Sequence, residues 1–243
     1  MPEQLIAFLE QLGFTKVEAQ LTYLLNPENI PMAIWETLYA PLAAAVLAYV
    51  IGLPLGVLLV TGDADGIHPL PRWLMRILNT LVNLLRSVPV LILMVLVMPL
   101  SRLILGTAIG TAATIVPLTV AAFPYIARLV ESSLREVDRG VVEAAQSMGC
   151  STLQIVTKVM LPECRPSLIG GATNASITIL GYGAMAGSIG GGGLGAIALQ
   201  RGYARNQHIV MYIAVILLVV LVQIMQTIGT KLATKTDKRI SHK

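Results

Sequence analysis

Five stretches of this chain are apolar over at least the roughly 20 residues that a helix needs to cross a bilayer. They run about Trp35 to Val60, Trp73 to Leu100, Ala108 to Val130, Ser167 to Ile189 and His208 to Leu232. Charged residues make up only 12% of the 243 residues, against 55% hydrophobic; a soluble domain carries about a quarter charged. A soluble fold of this length cannot hide so much apolar surface. The expected fold class is therefore an all-α membrane protein with five transmembrane helices in one embedded domain.

The basic residues orient it. Arg72, Arg76, Arg128, Arg135, Arg139, Lys158 and Arg165 fall in two loops on one side. Lys231, Lys235, Lys238, Arg239 and Lys243 follow the last stretch on that same side. The other side holds Lys16, Arg102, Arg201 and Arg205. Twelve against four places the C-terminus in the cytoplasm and, with an odd number of spans, the N-terminus outside. No Asp or Glu lies between Cys164 and Thr236. Charge that flanks apolar runs in this way points to membrane topology, not to nucleic acid.

Residues 1–33 read as an extracytoplasmic tail. Leu5, Ile6, Leu9 and Leu12 share one helical face, and Thr15-x-x-Glu18 has the form of a capping box opening a second short helix. Both runs are too short to span, so they are either interfacial helices or a poorly ordered tail. With Glu3 and Glu10 and no basic n-region, this is not a cleaved signal peptide. Cys150 and Cys164 fall in the cytoplasmic loop, where a disulfide is not expected. His68, His208 and His242 are scattered, and no metal site is expected. Pro41, Pro54, Pro89, Pro117 and Pro124 lie inside expected spans, where each removes a backbone hydrogen bond.

The loop between the third and fourth stretches, Val137 to Pro166, holds the most specific pattern. Asp138 can cap a helix running through Met148, with Val141, Val142, Ala145 and Met148 on one face. On that basis Ala145 is expected to lie against a partner protein. Gly149 supplies a left-handed helix end, Ser151-x-x-Gln154 a capping box, and Pro162 a stop for the second helix. Taken alone, this helix–turn–helix is either a docking element with little bulk at Glu143-Ala144-Ala145 or a plain connector.

Glu143-Ala144-Ala145, Gly149, Val159 and Leu161-Pro162 resemble the EAA loop of bacterial ABC importer permeases. Trp35-Glu36-Thr37-Leu38, Arg86-Ser87-Val88-Pro89, Ile115 to Thr119, Gly181-Tyr182-Gly183-Ala184-Met185 and Gly190 to Gly195 are similar to the methionine-importer branch. The resemblance implies a type I importer permease fold over residues 34–225, with the end of the last helix and a basic cytoplasmic tail in 226–243. The first ~30 residues exceed what that branch usually carries, so no role is inherited for them.

The resemblance further implies a coupling helix between the third and fourth helices, with Glu143, Ala144, Ala145, Gly149, Leu161 and Pro162 as the ATPase contact. It implies a second copy of the chain, two cytoplasmic ABC ATPase subunits carrying ATP and Mg, an extracytoplasmic binding (lipo)protein and membrane lipid as partners. No cofactor and no catalysis are expected of this chain, which has no GxxxxGK[ST] loop. The implied function is import of methionine, D-methionine or related amino acids across the bacterial cytoplasmic membrane. An importer of polar amino acids or quaternary amines is the alternative. An ion-gradient transporter would need an intramembrane carboxylate, and the acids nearest the spans are Glu36 and Glu131, at helix ends.

Three further features carry less. Gly190, Gly192 and Gly195 satisfy GxGxxG, but a membrane helix precedes them and no acid follows until Asp237, so a closely packed or flexible turn is expected. Gly183, Gly187, Gly191 and Gly195 recur every four residues, which serves helix packing or a gate. Arg86 either snorkels or pairs structurally, or it lies near the conduction path with Pro89, Tyr182 and Met185.

Overall fold

The computed structural model describes residues 3–11 and 13–236. Twelve α-helices follow in chain order: α1 Glu3–Gln11, α2 Val17–Leu25, α3 Asn29–Thr61, α4 Arg72–Ser87, α5 Val90–Leu105, α6 Ile115–Arg135, α7 Arg139–Ser147, α8 Thr152–Ile155, α9 Leu161–Glu163, α10 Arg165–Ala186, α11 Gly193–Ala196 and α12 His208–Thr236. Two π-helical stretches, Val156–Met160 and Ile197–Tyr203, interrupt them. No strand occurs among the described residues. Leu12 of the expected amphipathic face, Met1, and the basic residues Lys238, Arg239 and Lys243 lie outside the described residues.

Among the described residues, three helices are long and apolar enough to cross a membrane: α3, α6 with the short turn before it, and α12. The second expected span is broken. α4 and α5 meet at a bend of 110°, because Val88 stands before Pro89 and is forced into an extended conformation (φ −77°, ψ 132°). Counting that pair as one span makes four. α10 has the length, 22 residues, but its Gly170, Gly171, Thr173, Asn174, Ser176 and Thr178 lower its hydropathy below that of a lipid-facing span. Small and weakly polar residues suit close helix packing instead.

One other local expectation changes and one holds. Thr15 does not cap α2; Lys16 does so backbone-first, at φ 55°, with no side-chain hydrogen bond, while the Thr15 carbonyl accepts from Gln20 Nε2 at 2.6 Å. The second loop helix ends where Pro162 is expected to stop it: Thr152–Ile155, the π segment and Leu161–Glu163 form one continuous helical run, which leaves helical geometry at Cys164 (φ −91°, ψ 11°).

The chain forms two compact units. One is built from residues through Ala44, Met94–Leu118 and Thr178–Ile224; the other from Ala45–Leu93, Thr119–Ile177 and residues from Met225 on. The core of the first gathers Ala33, Leu194, Ile197, Ala198, Val210 and Ala214. In the second, Leu59, Met75 and Val82 join the end of α3 to α4. Gly52 on α3 permits close approach of α6, since a Cβ there would lie 2.8 Å from Ile126 Cγ2.

Candidate functional site

Within the second unit, residues 137–164 fold as the helix–turn–helix read from the sequence. The Asp138 carboxylate accepts from Gly140 N at 2.6 Å, capping α7. Its last turn closes through Met148 N to Ala144 O and Gly149 N to Gln146 O. Gly149 has φ +78°, and a Cβ placed on it would meet nothing within 4 Å. A replacement there suffers backbone strain alone. Ser151 and Gln154 form the reciprocal capping box of α8, satisfying two amides that α8 itself leaves open.

The face presented by α7 differs from the expected one. Ala145 is 2% exposed, whereas Val141 is 46% and Met148 76% exposed. Ala145 turns inward onto α8 and the π segment, together with buried Ile155, Val156 and Met160. Met148 leaves the helical face because its backbone has already departed from the helix (φ −78°, ψ 1°). Glu143, Ala144 and Gly149 are exposed; Leu161 and Pro162 are half-buried where the loop runs into α10. Most of α7 is thus outward, Val141, Glu143, Ala144, Met148 and Gly149 among it, with Ala145 the one buried residue of the helix.

A cavity of about 310 Å³ opens beside α7, lined among others by Asp63, Asp65, Arg135, Arg139, Glu143 and Gln146. Its wall is part of a polar ladder that sequence reading did not find. Arg128 bonds Asn79 and Asn83 of α4 at 2.8 and 2.9 Å and pairs with Glu131. Glu131 also pairs with Arg135 at 3.0 Å, and Arg135 with Asp63 at 2.8 Å. The spacing Arg128-x-x-Glu131-x-x-x-Arg135 was the available signal; Asn79, Asn83 and Asp63 had none. The Arg135 guanidinium, helped by Ala64 N, holds the Asp63 carboxyl below its usual range. Burial, with the nearby Glu136 and Glu163 charges, pushes the Cys164 thiol up to about 11. A thiol so raised stays protonated and inert, as an ordinary small side chain.

In the first unit the two motifs Trp35–Leu38 and Gly190–Gly195 meet. Glu36 Oε2 accepts from Gly193 N at 2.8 Å, and Thr37 Oγ1 accepts from Leu194 N at 2.8 Å. Gly190 and Gly193 have φ of +98° and +82°. The four spaced glycines pack closely: a Cβ on Gly183 would lie 2.6 Å from Pro41 Cγ, and one on Gly187 would lie 2.7 Å from the Gly195 carbonyl carbon. They do not form one helical stripe, because α10 ends at Ala186 and the chain folds back on itself. Met185 is exposed and Tyr182 half-buried near the end of α10. Arg86 and Pro89 are both exposed at the α4–α5 break, Arg86 in the last turn of α4. No continuous span surrounds Arg86, as the sequence had suggested.

Helices of bilayer length together with an exposed, capped polar helix–turn–helix define a polytopic α-helical membrane protein. Residues 52–236 match the model of the binding-protein-dependent transport system inner membrane component. The chain is a member of that family.

Among its relatives is the Vibrio cholerae protein named "Probable D-methionine transport system permease protein MetI". It is 47% identical over 218 residues, covering 89% of this chain and 96% of that one. The Bacillus subtilis "Methionine import system permease protein MetP" is 42% identical over 163 residues, covering 67% of this chain and 73% of its own length. A solved structure of inward-facing conformations of the MetNI methionine ABC transporter, in its native crystal form, superposes with a TM-score of 0.84. It is 42% identical and covers 86% of this chain and 96% of that one.

Proposed function

We propose that this chain is the permease subunit of an ATP-driven importer that carries methionine, including D-methionine, across the bacterial cytoplasmic membrane. The observation that carries this reading is the exposed Glu143–Ala144 surface of a capped helix ending at Gly149, inside a chain 47% identical to a D-methionine permease. Five crossings follow if the bent α4–α5 pair and the weakly polar α10 each cross once beside α3, α6 and α12. The N-terminus is then outside and the C-terminus cytoplasmic, in keeping with the basic asymmetry.

The complex contains two copies of this chain, two ATPase subunits that bind ATP and Mg, and an extracytoplasmic binding protein, all in lipid. α7 of each copy acts as the coupling helix. Its outward residues Val141, Glu143, Ala144 and Met148 seat on an ATPase, with Gly149 closing the helix and Leu161 and Pro162 anchoring it to α10. Closure of the ATPase pair on ATP draws the two α7 helices together, and the helices bearing them switch the path between inward- and outward-facing states. Small residues on α10, the exposed Met185, the half-buried Tyr182, and the α4–α5 break with Arg86 and Pro89 are assigned to the path. Irregular backbone at membrane depth is tolerated only against protein or a water-filled cavity, which supports the assignment of the break.

The test is uptake of labelled L- and D-methionine at low concentration by a methionine auxotroph from which the gene and any second methionine importer have been removed. Restoration by this chain with its ATPase and binding protein is expected. Restored uptake of a polar amino acid or a quaternary amine, with none of methionine, would replace the substrate.

A further inference from the structure

Gln20 is a polar side chain with no exposed surface, placed in the short N-terminal segment for which the family resemblance supplies no role. Both ends of its carboxamide are engaged. Nε2 donates to Thr15 O at 2.6 Å. Oε1 accepts from Ile209 N at 2.9 Å and from Val210 N at 3.3 Å. These are amides of the first turn of α12, a helix that has no partner of its own for them. Helices are ordinarily capped by a neighbouring Ser, Thr, Asn or Asp. Here the cap arrives from a residue about 190 positions earlier in the chain.

The rest of the segment is fastened to the same place. Val17 is fully buried, and the Phe14 ring meets Tyr212 edge-on at 6.4 Å. Tyr23 and Leu24 pack against the cluster that holds Leu194, Ile197, Val210 and Ala214. The Arg201 guanidinium stands 3.8 Å above the Tyr23 ring, a cation–π contact to the π-helical stretch that leads from α11 toward α12. Asn29 Nδ2 donates to Tyr23 O at 2.9 Å, tying α2 to the start of α3. One short helix therefore touches the beginnings of α3 and α12 and the stretch that follows the glycine turn.

We propose that Gln20 is a positioning residue for transport: through its cap on α12, and with Tyr23 on Arg201, it locks the glycine turn and the start of α12 into the geometry the transport cycle needs. Its effect on transport rests on the importer reading above; its effect on α12 does not. The experiment uses the assembled complex in nanodiscs, where both faces are accessible, with Cys150 and Cys164 replaced by Ser and a single reporter cysteine at His208.

Gln20→Leu removes acceptor and donor and is expected to speed maleimide labelling at position 208 by about tenfold. Gln20→Glu keeps an acceptor oxygen for Ile209 and Val210 and restores most of the slow labelling. Glu18→Gln, on the exposed side of α2, leaves it unchanged. In cells, Gln20→Leu lowers the maximal rate of methionine uptake several-fold while the half-saturating concentration stays constant; Gln20→Glu rescues it. Unchanged labelling in Gln20→Leu overturns the clamp, and faster labelling with unchanged uptake overturns its role in transport. If Gln20→Leu fails to insert, hydrogen exchange on the unaltered complex decides. Protection of the Ile209 and Val210 amides comparable to mid-helix amides is expected, and rapid exchange refutes the cap. A complex that shows the labelling contrast but imports no methionine sinks the importer reading and leaves the clamp standing.

Discussion

Glu36 accepts a hydrogen bond from the backbone of Gly193 at 2.8 Å, across 157 positions of sequence. Its neighbour Thr37 does the same for Leu194 while donating its own hydroxyl to Ala33 O. The acidic residue nearest the start of the first span is therefore tied into the fold by its carboxylate. It fastens the glycine turn to α3, and Gly192 has no room for a Cβ because Thr111 and Glu36 already fill the space.

Glu36→Ala leaves the Gly193 amide without its acceptor. A hydrogen bond to a charged group contributes about 1.5–3 kcal/mol, so the purified permease should unfold at a temperature several degrees lower. Glu36→Gln keeps a carbonyl oxygen in place and should lose less than half as much. Thr37→Val, which orphans the buried Leu194 amide, should cost about 1–3 kcal/mol. Equal unfolding temperatures for all three variants and the unaltered chain would show that the turn is held by packing alone.

Much of this architecture is legible because local signals carry it. Asp138, Gly149, Ser151 and Gln154 form the caps and turn that their identities announce, since each acts on backbone within three residues of itself. What sequence reading missed depends on distant partners. The burial of Ala145 goes with the packing of α7 on α8 and the π segment, which a helical wheel of α7 cannot supply. The break at Pro89 was hidden because Val88 and Val90 continue an apolar run on both sides, and hydropathy is blind to backbone conformation. Thr15 is not the cap because α2 begins one residue later, with Lys16 in the left-handed region at the N-cap position, a conformation that residue identity does not announce.

Gly149 offers a clean separation of strain from contact. Its φ of +78° costs a residue with a Cβ roughly 1–2 kcal/mol, yet nothing stands within 4 Å of where that Cβ would be. Gly149→Val should therefore distort the end of α7 and reduce ATPase co-purification and transport together. Gly149→Asn, whose side chain tolerates the left-handed region, should retain most of both. A valine variant with full ATPase binding would show that this turn does not position the contact.

The Asp63–Arg135 pair makes stability depend on pH at the acid end. Arg135 lowers the Asp63 pKa in the folded state, so its contribution is complete above the unfolded value of about 3.9. It is lost as pH falls through the lower folded value. Both side chains are nearly half exposed, 48% and 45%, which limits the pair to under about 1 kcal/mol. The unfolding temperature of Asp63→Asn should lie slightly below that of the unaltered chain at pH 7, and the gap should close at the most acid pH. A gap that widened on acidification would contradict the sign.

The decisive variants on α7 divide by the side they face. Ala145 is buried within the chain, so Ala145→Trp overpacks the permease itself, at a cost of at least about 1–3 kcal/mol. It should lower permease yield and unfolding temperature before any ATPase is added. A loss of transport in that variant is no evidence of contact with the ATPase. Met148 and Glu143 are exposed, and Met148 is 76% so. Glu143→Lys and Met148→Asp should leave insertion, yield and unfolding temperature of the isolated permease unchanged. Both should cut ATPase co-purification and methionine uptake at least about tenfold, as expected when a residue central to an interface is lost. Val141→Asp, on the same outward side, should behave alike. Three surface variants with normal folding, full ATPase binding and full transport would reduce residues 137–164 to a connector, and would remove the coupling role from the proposed function.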